Sequence, residues 1–78
     1  MSVRAYILIQ TEVGKSALVA NEVRTVAGVT AADDVTGPYD VIVHAVANNL
    51  DELGHTVVSR VQMIEGITRT LTCPVINI

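Results

Sequence analysis

The sequence predicts an α+β fold in which four strands and two helices follow one another in the order βαββαβ. Three observations predict it. Short apolar segments rich in β-formers alternate with segments of helical periodicity. Glycines stand where both helices are expected to end. Finally, VRTVAGVT at residues 23–30 resembles VQMIEGIT at residues 61–68, a shift of 38 residues. The chain therefore resembles two copies of one βαβ unit.

The first half contains the first two strands and the first helix. Residues 5–11 (AYILIQT) predict strand one, which Gly14 breaks. Residues 15–27 predict a helix, because apolar residues recur there at helical spacing. That apolar stripe consists of Val19, Val23, Val26 and Ala27. Gly28 ends the helix, and residues 29–35 predict strand two.

The second half begins with strand three, predicted at residues 40–47. Asn49 is placed to cap the second helix, with Glu52 reaching back three residues later as in a capping box. Gly54 inside the helix costs up to about 1 kcal/mol relative to alanine. The predicted buried stripe of this helix consists of Leu50, Leu53, Val57, Val61 and Ile64.

The last strand follows Gly66, which ends the second helix. Residues 67–73 predict strand four, and residues 75–78 are a candidate continuation. Pro74 interrupts this strand or places it at a sheet edge, because proline has no backbone N–H to donate.

Two βαβ units with right-handed crossovers give one four-stranded antiparallel sheet with two helices on one face, the ferredoxin-like arrangement. At 78 residues the chain is expected to be a single domain, residues 1–78. Strands one and three are apolar on both faces. Because the helices cover only one face, the other face predicts a homodimer that packs sheet against sheet.

Composition supports a partner subunit. The chain lacks Phe and Trp, so its core must be aliphatic, and a domain this small often needs a disulfide, a metal or a partner for stability. Cys73 is the only cysteine, which excludes an internal disulfide. The Cys/His spacing of a zinc site is absent, and His44 and His55 have no third ligand nearby. We therefore predict no metal and no cofactor.

Charge argues against direct binding to nucleic acid. The five basic residues are scattered and the net charge is −3, whereas phosphate binding needs clustered positive charge. No apolar run approaches the roughly 20 residues of a membrane span, and the N-terminus lacks a signal-peptide pattern. With one free thiol, a cytoplasmic location is expected.

Two stretches are candidates for a binding site. The first is Gly37-Pro38-Tyr39-Asp40 at the start of strand three. A turn explains the glycine and the proline but does not require the tyrosine. The second is a row of hydroxyls on strand four, formed by Thr68, Thr70 and Thr72. Threonine is also a good strand former, so the row alone decides nothing.

Together these stretches resemble the effector-binding (RAM) domain of the Lrp/AsnC transcription regulators. The resemblance rests on VTGPYD at 35–40, VIVHAV at 41–46, NNLDEL at 48–53 and EGITRTLT at 65–72. It implies a βαββαβ fold, dimers through the sheet faces, rings of dimers, and amino-acid effectors bound between dimers. The positions that match the family's effector site are Gly37, Tyr39, Asp40, Thr70 and Thr72.

The resemblance is to the stand-alone form of this domain, because predicted strand one begins at Ala5 and leaves no room for a helix-turn-helix. It implies a non-enzymatic role in amino-acid-linked transcription regulation, exerted through protein partners such as full-length regulators of the same family. No direct contact with nucleic acid or a membrane is expected.

The chemistry of the candidate residues suits an amino-acid ligand. Asp40 can accept a charge-assisted hydrogen bond from an ammonium group, and the backbone amides near Gly37 and the two threonine hydroxyls can donate to a carboxylate. Two alternatives remain. One is a small oligomeric enzyme, isomerase-like or monooxygenase-like, that uses His44 or Tyr39. The other is an assembly adaptor with a vestigial site.

Overall fold

The structure, a computed structural model, describes residues 2–76 and contains one four-stranded sheet with two helices packed on one face. The strand order is β2-β3-β1-β4, and every neighbouring pair is antiparallel. The elements are β1 (Val3–Thr11), α1 (Ser16–Val23), β2 (Val29–Asp34), β3 (Val41–Ala47), α2 (residues 50–62) and β4 (Ile67–Pro74). The predicted ferredoxin-like fold is confirmed.

The core lies between the sheet and the helices. Alternate residues of β1 and β3 point towards the helices and are buried, as the period of two in a strand requires. The buried side chains are all aliphatic: Ala5, Ile7, Ile9, Val19, Ala20, Val23, Ala32, Val41, Val43, Ala45, Ala47, Leu53, Val57 and Val61. Such a core depends on close packing of many small side chains.

Helix α1 is shorter than predicted, because it ends at Val23 and not at residue 27. The N–H of Thr25 donates to the Glu22 carbonyl at 3.0 Å, an i to i+3 bond that tightens the chain into turns. The Arg24 side chain crosses to β2, where its Nε and Nη2 both donate to the Ala32 carbonyl, at 3.0 and 2.6 Å. Placing Ala27 in the apolar stripe was therefore wrong: Ala27 lies beyond the helix and is exposed.

Helix α2 has the predicted N-cap at Asn49 and an unpredicted interruption, and Glu52 reaches one residue further back than in the predicted capping box. The side chain of Asn49 accepts from the Glu52 N–H at 2.8 Å, and the Glu52 carboxylate accepts from the N–H of Asn48 at 3.2 Å. The segment Leu53–Val58 is a π-helix between two α-helical segments. The prediction that Leu50 is buried was wrong, since its side chain is 62% exposed. Leu50 opens the first turn, and the helix reaches the core only from Leu53 onward.

Strand β4 is an edge strand, as Pro74 predicted, and the proline pairs with Ala5 at the end of the ladder. The predicted continuation of this strand was wrong for Val75 and Ile76, because β4 ends at Pro74; Val75 makes one bond beyond it, from its N–H to the Arg4 carbonyl at 2.8 Å. Residues 77 and 78 of that continuation lie outside the described residues. Among the described helices, none combines the length and the apolar character that crossing a membrane would require.

Candidate functional site

Asp40 joins the turn between β2 and β3 to the end of β1. Its N–H donates to the Ile9 carbonyl at 2.9 Å, and its own carbonyl accepts from the N–H of Val35 at 2.9 Å. Its carboxylate oxygen Oδ2 accepts from the N–H of Thr11 at 2.8 Å, and the Thr11 hydroxyl lies 3.4 Å from the same oxygen. Asp40 is half-buried. The carboxylate is thus fixed in position at one end of the sheet.

The rest of the turn is held by Gln10, whose side-chain amide donates to the Pro38 carbonyl at 3.0 Å. Gly37 has a φ of +133°, which a residue with a Cβ rarely adopts. Tyr39 is half-buried. Gln10 and Thr11 were not predicted as partners of the turn. The available signal was the change from apolar to polar residues where β1 ends.

The threonine row on β4 lies on the helix side of the sheet. Thr70 pairs with Ile9 and Thr72 with Ile7, and directly paired residues share a face. Thr70 is half-buried, and its hydroxyl accepts from the Gln62 side-chain amide of α2 at 3.3 Å. Thr68 is exposed and falls at a register irregularity where β4 carries one more residue than β1. The hydroxyl row therefore consists of two members.

The two parts of the predicted site lie near the same end of the sheet but on opposite sides of β1. Ile9 pairs with Val41 of β3 on one side and with Thr70 of β4 on the other. Since neighbouring strands are about 4.8 Å apart, Asp40 and Thr70 are separated by roughly 10 Å. Within one chain, β1 therefore lies between the turn and the threonines.

The sheet face opposite the helices, called the open face below, is largely apolar. Its exposed or half-buried apolar side chains are Tyr6, Leu8, Ile42, Val46 and Leu71. Tyr6 and Leu71 are 40% and 41% exposed, which is high for large apolar residues on a central and an edge strand. A continuous apolar face of this kind is typical of a protein interface.

His44 also lies on the open face, with its ring in edge contact with Tyr6 at a centroid distance of 4.4 Å. The two rings line a cavity of about 40 Å³ together with Arg4 and Thr30, which has room for one or two water molecules. Within residues 2–76, no group of three or more His, Cys, Asp or Glu side chains is arranged to hold a metal ion.

Known structures share this architecture. A hypothetical protein from Pyrococcus horikoshii is 29% identical, with a TM-score of 0.86 over 96% of this chain and 90% of its own. AsnC from E. coli is 24% identical with a TM-score of 0.87, and the match covers 96% of this chain but 51% of AsnC. A transcriptional regulator from Neisseria meningitidis, solved as an L-Met complex, is 19% identical with a TM-score of 0.79, over 96% of this chain and 50% of its own.

No match to a curated protein is found by sequence. The model of the Lrp/AsnC ligand binding domain, in contrast, matches residues 4–78. That range runs from β1 past β4 and includes the turn at Asp40 and both threonines of the row. The chain therefore belongs to the Lrp/AsnC ligand-binding domain family.

Proposed function

We propose that this chain is a non-enzymatic sensor of an amino acid, in which ligand binding at the turn between β2 and β3 is coupled to assembly of the protein. The observation that carries this proposal is the fixed carboxylate of Asp40 in a ligand-binding domain family. Among the described residues, both hydrogen-bond contacts to this carboxylate use Oδ2. Oδ1 is therefore the oxygen that would accept from a ligand ammonium.

The carboxylate of the ligand needs hydrogen-bond donors on the side of the site opposite Asp40. Backbone amides around Gly37 and the hydroxyls of Thr70 and Thr72 are the candidate donors, and Tyr39 is the candidate wall of the site. Because the turn and the threonines are roughly 10 Å apart across β1, we place the complete site between copies of the chain. An assembly of dimers would bring the turn of one copy close to β4 of another.

The open face supports a dimer that packs sheet against sheet. Its exposed apolar area is too continuous for a small isolated domain, and a domain of 78 residues gains little core of its own. We expect Leu8→Lys to reduce this dimer to monomers in sedimentation velocity, because the charge would lie near the middle of the packed sheets. A dimer of unchanged stability in Leu8→Lys would contradict the sheet-face contact.

The proposed setting is regulation of transcription through protein partners, including full-length regulators of the same family, in the cytoplasm. We treat residues 1–78 as one ligand-binding unit. Direct contact with nucleic acid forms no part of the proposal, because the basic residues are scattered and the net charge is negative. The L-Met bound in the Neisseria regulator is a property of that protein and supports an amino acid as the class of ligand here.

An enzyme acting through His44 is the second candidate, and the cavity geometry disfavours it. The cavity beside His44 and Tyr6 holds about 40 Å³, which is far below the roughly 300 Å³ of an ordinary small-molecule site. His44 also lies on the face that we assign to the dimer, so packing of a second sheet would cover it.

The test is a thermal-shift screen of the pure protein against the twenty amino acids. A ligand at 100 times its Kd stabilises the folded state by about 2.7 kcal/mol. For a domain of this size, that corresponds to a rise in Tm of at least roughly 10 °C. We expect one amino acid, or a few of similar shape, to produce it. If none of the twenty changes Tm, the assembly adaptor becomes the better account.

A further inference from the structure

The tip of the turn between β2 and β3, residues 36–39, is held by a single side chain. Among the described residues, the only hydrogen bond that reaches this tip runs from the Gln10 side-chain amide to the Pro38 carbonyl, at 3.0 Å. The other bonds of the turn converge on Asp40, at its base. Gly37 is unhindered, because no other atom of the described chain lies within 4 Å of its Cβ position. The conformation of the tip therefore depends on Gln10.

Gln10 is a polar residue that follows Tyr6 and Leu8 on the open face, because alternate side chains of a strand share a face. Its side chain is half-buried. Fixing a long polar side chain costs conformational entropy, and one hydrogen bond to an exposed turn contributes little to the stability of the fold. The position that this bond imposes on the turn is therefore its main effect.

The bond from Gln10 fixes the plane of the peptide that joins Pro38 to Tyr39. Residues 2–76 contain no cis peptide bond, and in a trans peptide the C=O and the N–H point in opposite directions. Because the Pro38 carbonyl points towards Gln10, the Tyr39 N–H points away from Gln10 and from the open face. No acceptor within residues 2–76 receives this N–H. It is thus a backbone donor that a second copy packed on the open face would leave free.

We propose that Gln10 is a positioning residue of the ligand site, and that the Tyr39 N–H it orients donates to the carboxylate of the bound amino acid. This inference rests on the proposed function, because it takes the turn at Asp40 as the site. Pro38 has no N–H, so the Tyr39 N–H is the next backbone donor after that of Gly37. Gln10 acts through the turn and does not contact the ligand.

Gln10→Met tests this role, because methionine has nearly the same length but no hydrogen-bond donor. Methionine is flexible and apolar, so it suits the open face, and the fold and the dimer should persist. The matched control is Thr30→Val. It also removes a side-chain hydrogen bond to a backbone carbonyl, that of His44 at 3.2 Å, but near the start of β2 and away from the turn.

Residual dipolar couplings of the isotope-labelled protein report the direction of each N–H bond without any ligand. In Gln10→Met, the Tyr39 coupling should change as the tip of the turn takes up several orientations, while the couplings of β1 and β3 should keep their wild-type values. Thr30→Val should keep the wild-type coupling at Tyr39. A wild-type coupling at Tyr39 in Gln10→Met would overturn the positioning role.

Calorimetry with the amino acid that gives the largest shift in the thermal screen measures the effect on binding. Gln10→Met should weaken binding roughly two- to tenfold, as the loss of one neutral donor does, and Thr30→Val should leave it unchanged. The carboxamide of the same amino acid lacks the carboxylate, so its affinity should respond less to Gln10→Met.

Two results of the calorimetry would overturn the donor role of the Tyr39 N–H. One is an unchanged affinity for the amino acid in Gln10→Met. The other is an equal loss for the amino acid and its carboxamide, which would mean that the variant acts through Asp40 or the fold. If no amino acid binds the wild type, the proposed function fails and the donor role fails with it, whereas the couplings still decide whether Gln10 orients the peptide.

Discussion

The two halves of the molecule meet through one kind of contact that occurs twice: the glycine that follows each helix packs against a valine of the other helix. Gly28 follows α1 and packs against Val57 of α2, and Gly66 follows α2 and packs against Val19 of α1. Both pairs are related by the 38-residue shift of the sequence repeat. The glycines have nearly equal φ angles, +96° and +98°. The repeat visible in the sequence is therefore a repeat of contacts between each helix and the glycine that follows the other helix.

The two contacts differ in how closely they pack. A Cβ on Gly28 would lie 2.7 Å from the Val57 Cγ2 methyl and 3.1 Å from the backbone carbonyl of Val46. A Cβ on Gly66 would lie 3.2 Å from a Val19 methyl, and its other neighbours belong to the flexible side chain of Lys15. The contact at Gly28 is thus constrained partly by backbone atoms, whereas the contact at Gly66 involves only side chains.

Gly28→Ala should produce the largest loss of stability. The positive φ costs roughly 1–2 kcal/mol for a residue with a Cβ, and the clash adds about 1–3 kcal/mol as overpacking does elsewhere. We expect a loss of roughly 2–5 kcal/mol in the free energy of unfolding, measured by urea denaturation at one fixed protomer concentration.

Gly66→Ala should lose less, about 1–3 kcal/mol, because its tightest contact, 3.2 Å to a Val19 methyl, is longer than the 2.7 Å contact at Gly28. Gly14→Ala is the matched control, since Gly14 has a φ of +80° and no atom within 4 Å of its Cβ position. Gly14→Ala should lose only the roughly 1–2 kcal/mol that a positive φ costs a residue with a Cβ. Equal losses of stability in all three variants would show that the contacts at Gly28 and Gly66 add no constraint beyond the positive φ angle.

The two helices also differ in how they begin. The N-cap of α2 is Asn49, which accepts the Glu52 N–H, whereas Lys15 at the same position of α1 makes no side-chain cap. Asn49→Ala should therefore destabilise the protein by about 1 kcal/mol. Lys15→Ala should change the stability by less than about 0.5 kcal/mol, as most surface substitutions do. Urea denaturation of the pair measures the difference, and equal effects would contradict the assigned cap.

Much of this architecture could be predicted because local signals and the global fold agree. The order of elements, the cap at Asn49 and the edge position of β4 all follow from residue types at given positions. The premature end of α1 could not be predicted, because it coincides with a tertiary bond between Arg24 and β2. The π-helical segment also has no clear sequence signal, since its apolar spacing fits an α-helix as well.

The residues of the candidate site stay a prediction, and their geometry could not be predicted from the sequence. The resemblance selects Asp40, Thr70 and Thr72, yet their distance across β1 depends on strand order and register. The second role of Asp40 also depends on the fold: its carboxylate ties the turn to β1, because Thr11 donates its N–H to it.

The smallest predicted effect is at Thr70. Thr70→Val keeps the shape and the strand preference but leaves the Gln62 amide without its acceptor. Because Gln62 is exposed and can bind water, we expect a loss of about 0.5 kcal/mol in unfolding free energy. Ligand affinity should also fall, by about 0.5–1.5 kcal/mol or roughly two- to thirteenfold, if the hydroxyl contacts the ligand. Binding calorimetry on Thr70→Val and Thr72→Val measures the loss of affinity separately from the loss of stability. Unchanged affinity in both variants would show that β4 does not contact the ligand.

The most direct test of the central claim is a calorimetric titration of the best amino acid from the screen into wild type and Asp40→Asn. Asparagine keeps an acceptor for the Thr11 N–H and removes the charge, so fold and assembly should persist. Loss of a charge-assisted hydrogen bond should weaken binding roughly ten- to hundredfold. Equal affinity in both proteins, at equal oligomer size, would show that the turn at Asp40 is structural and that the ligand binds elsewhere.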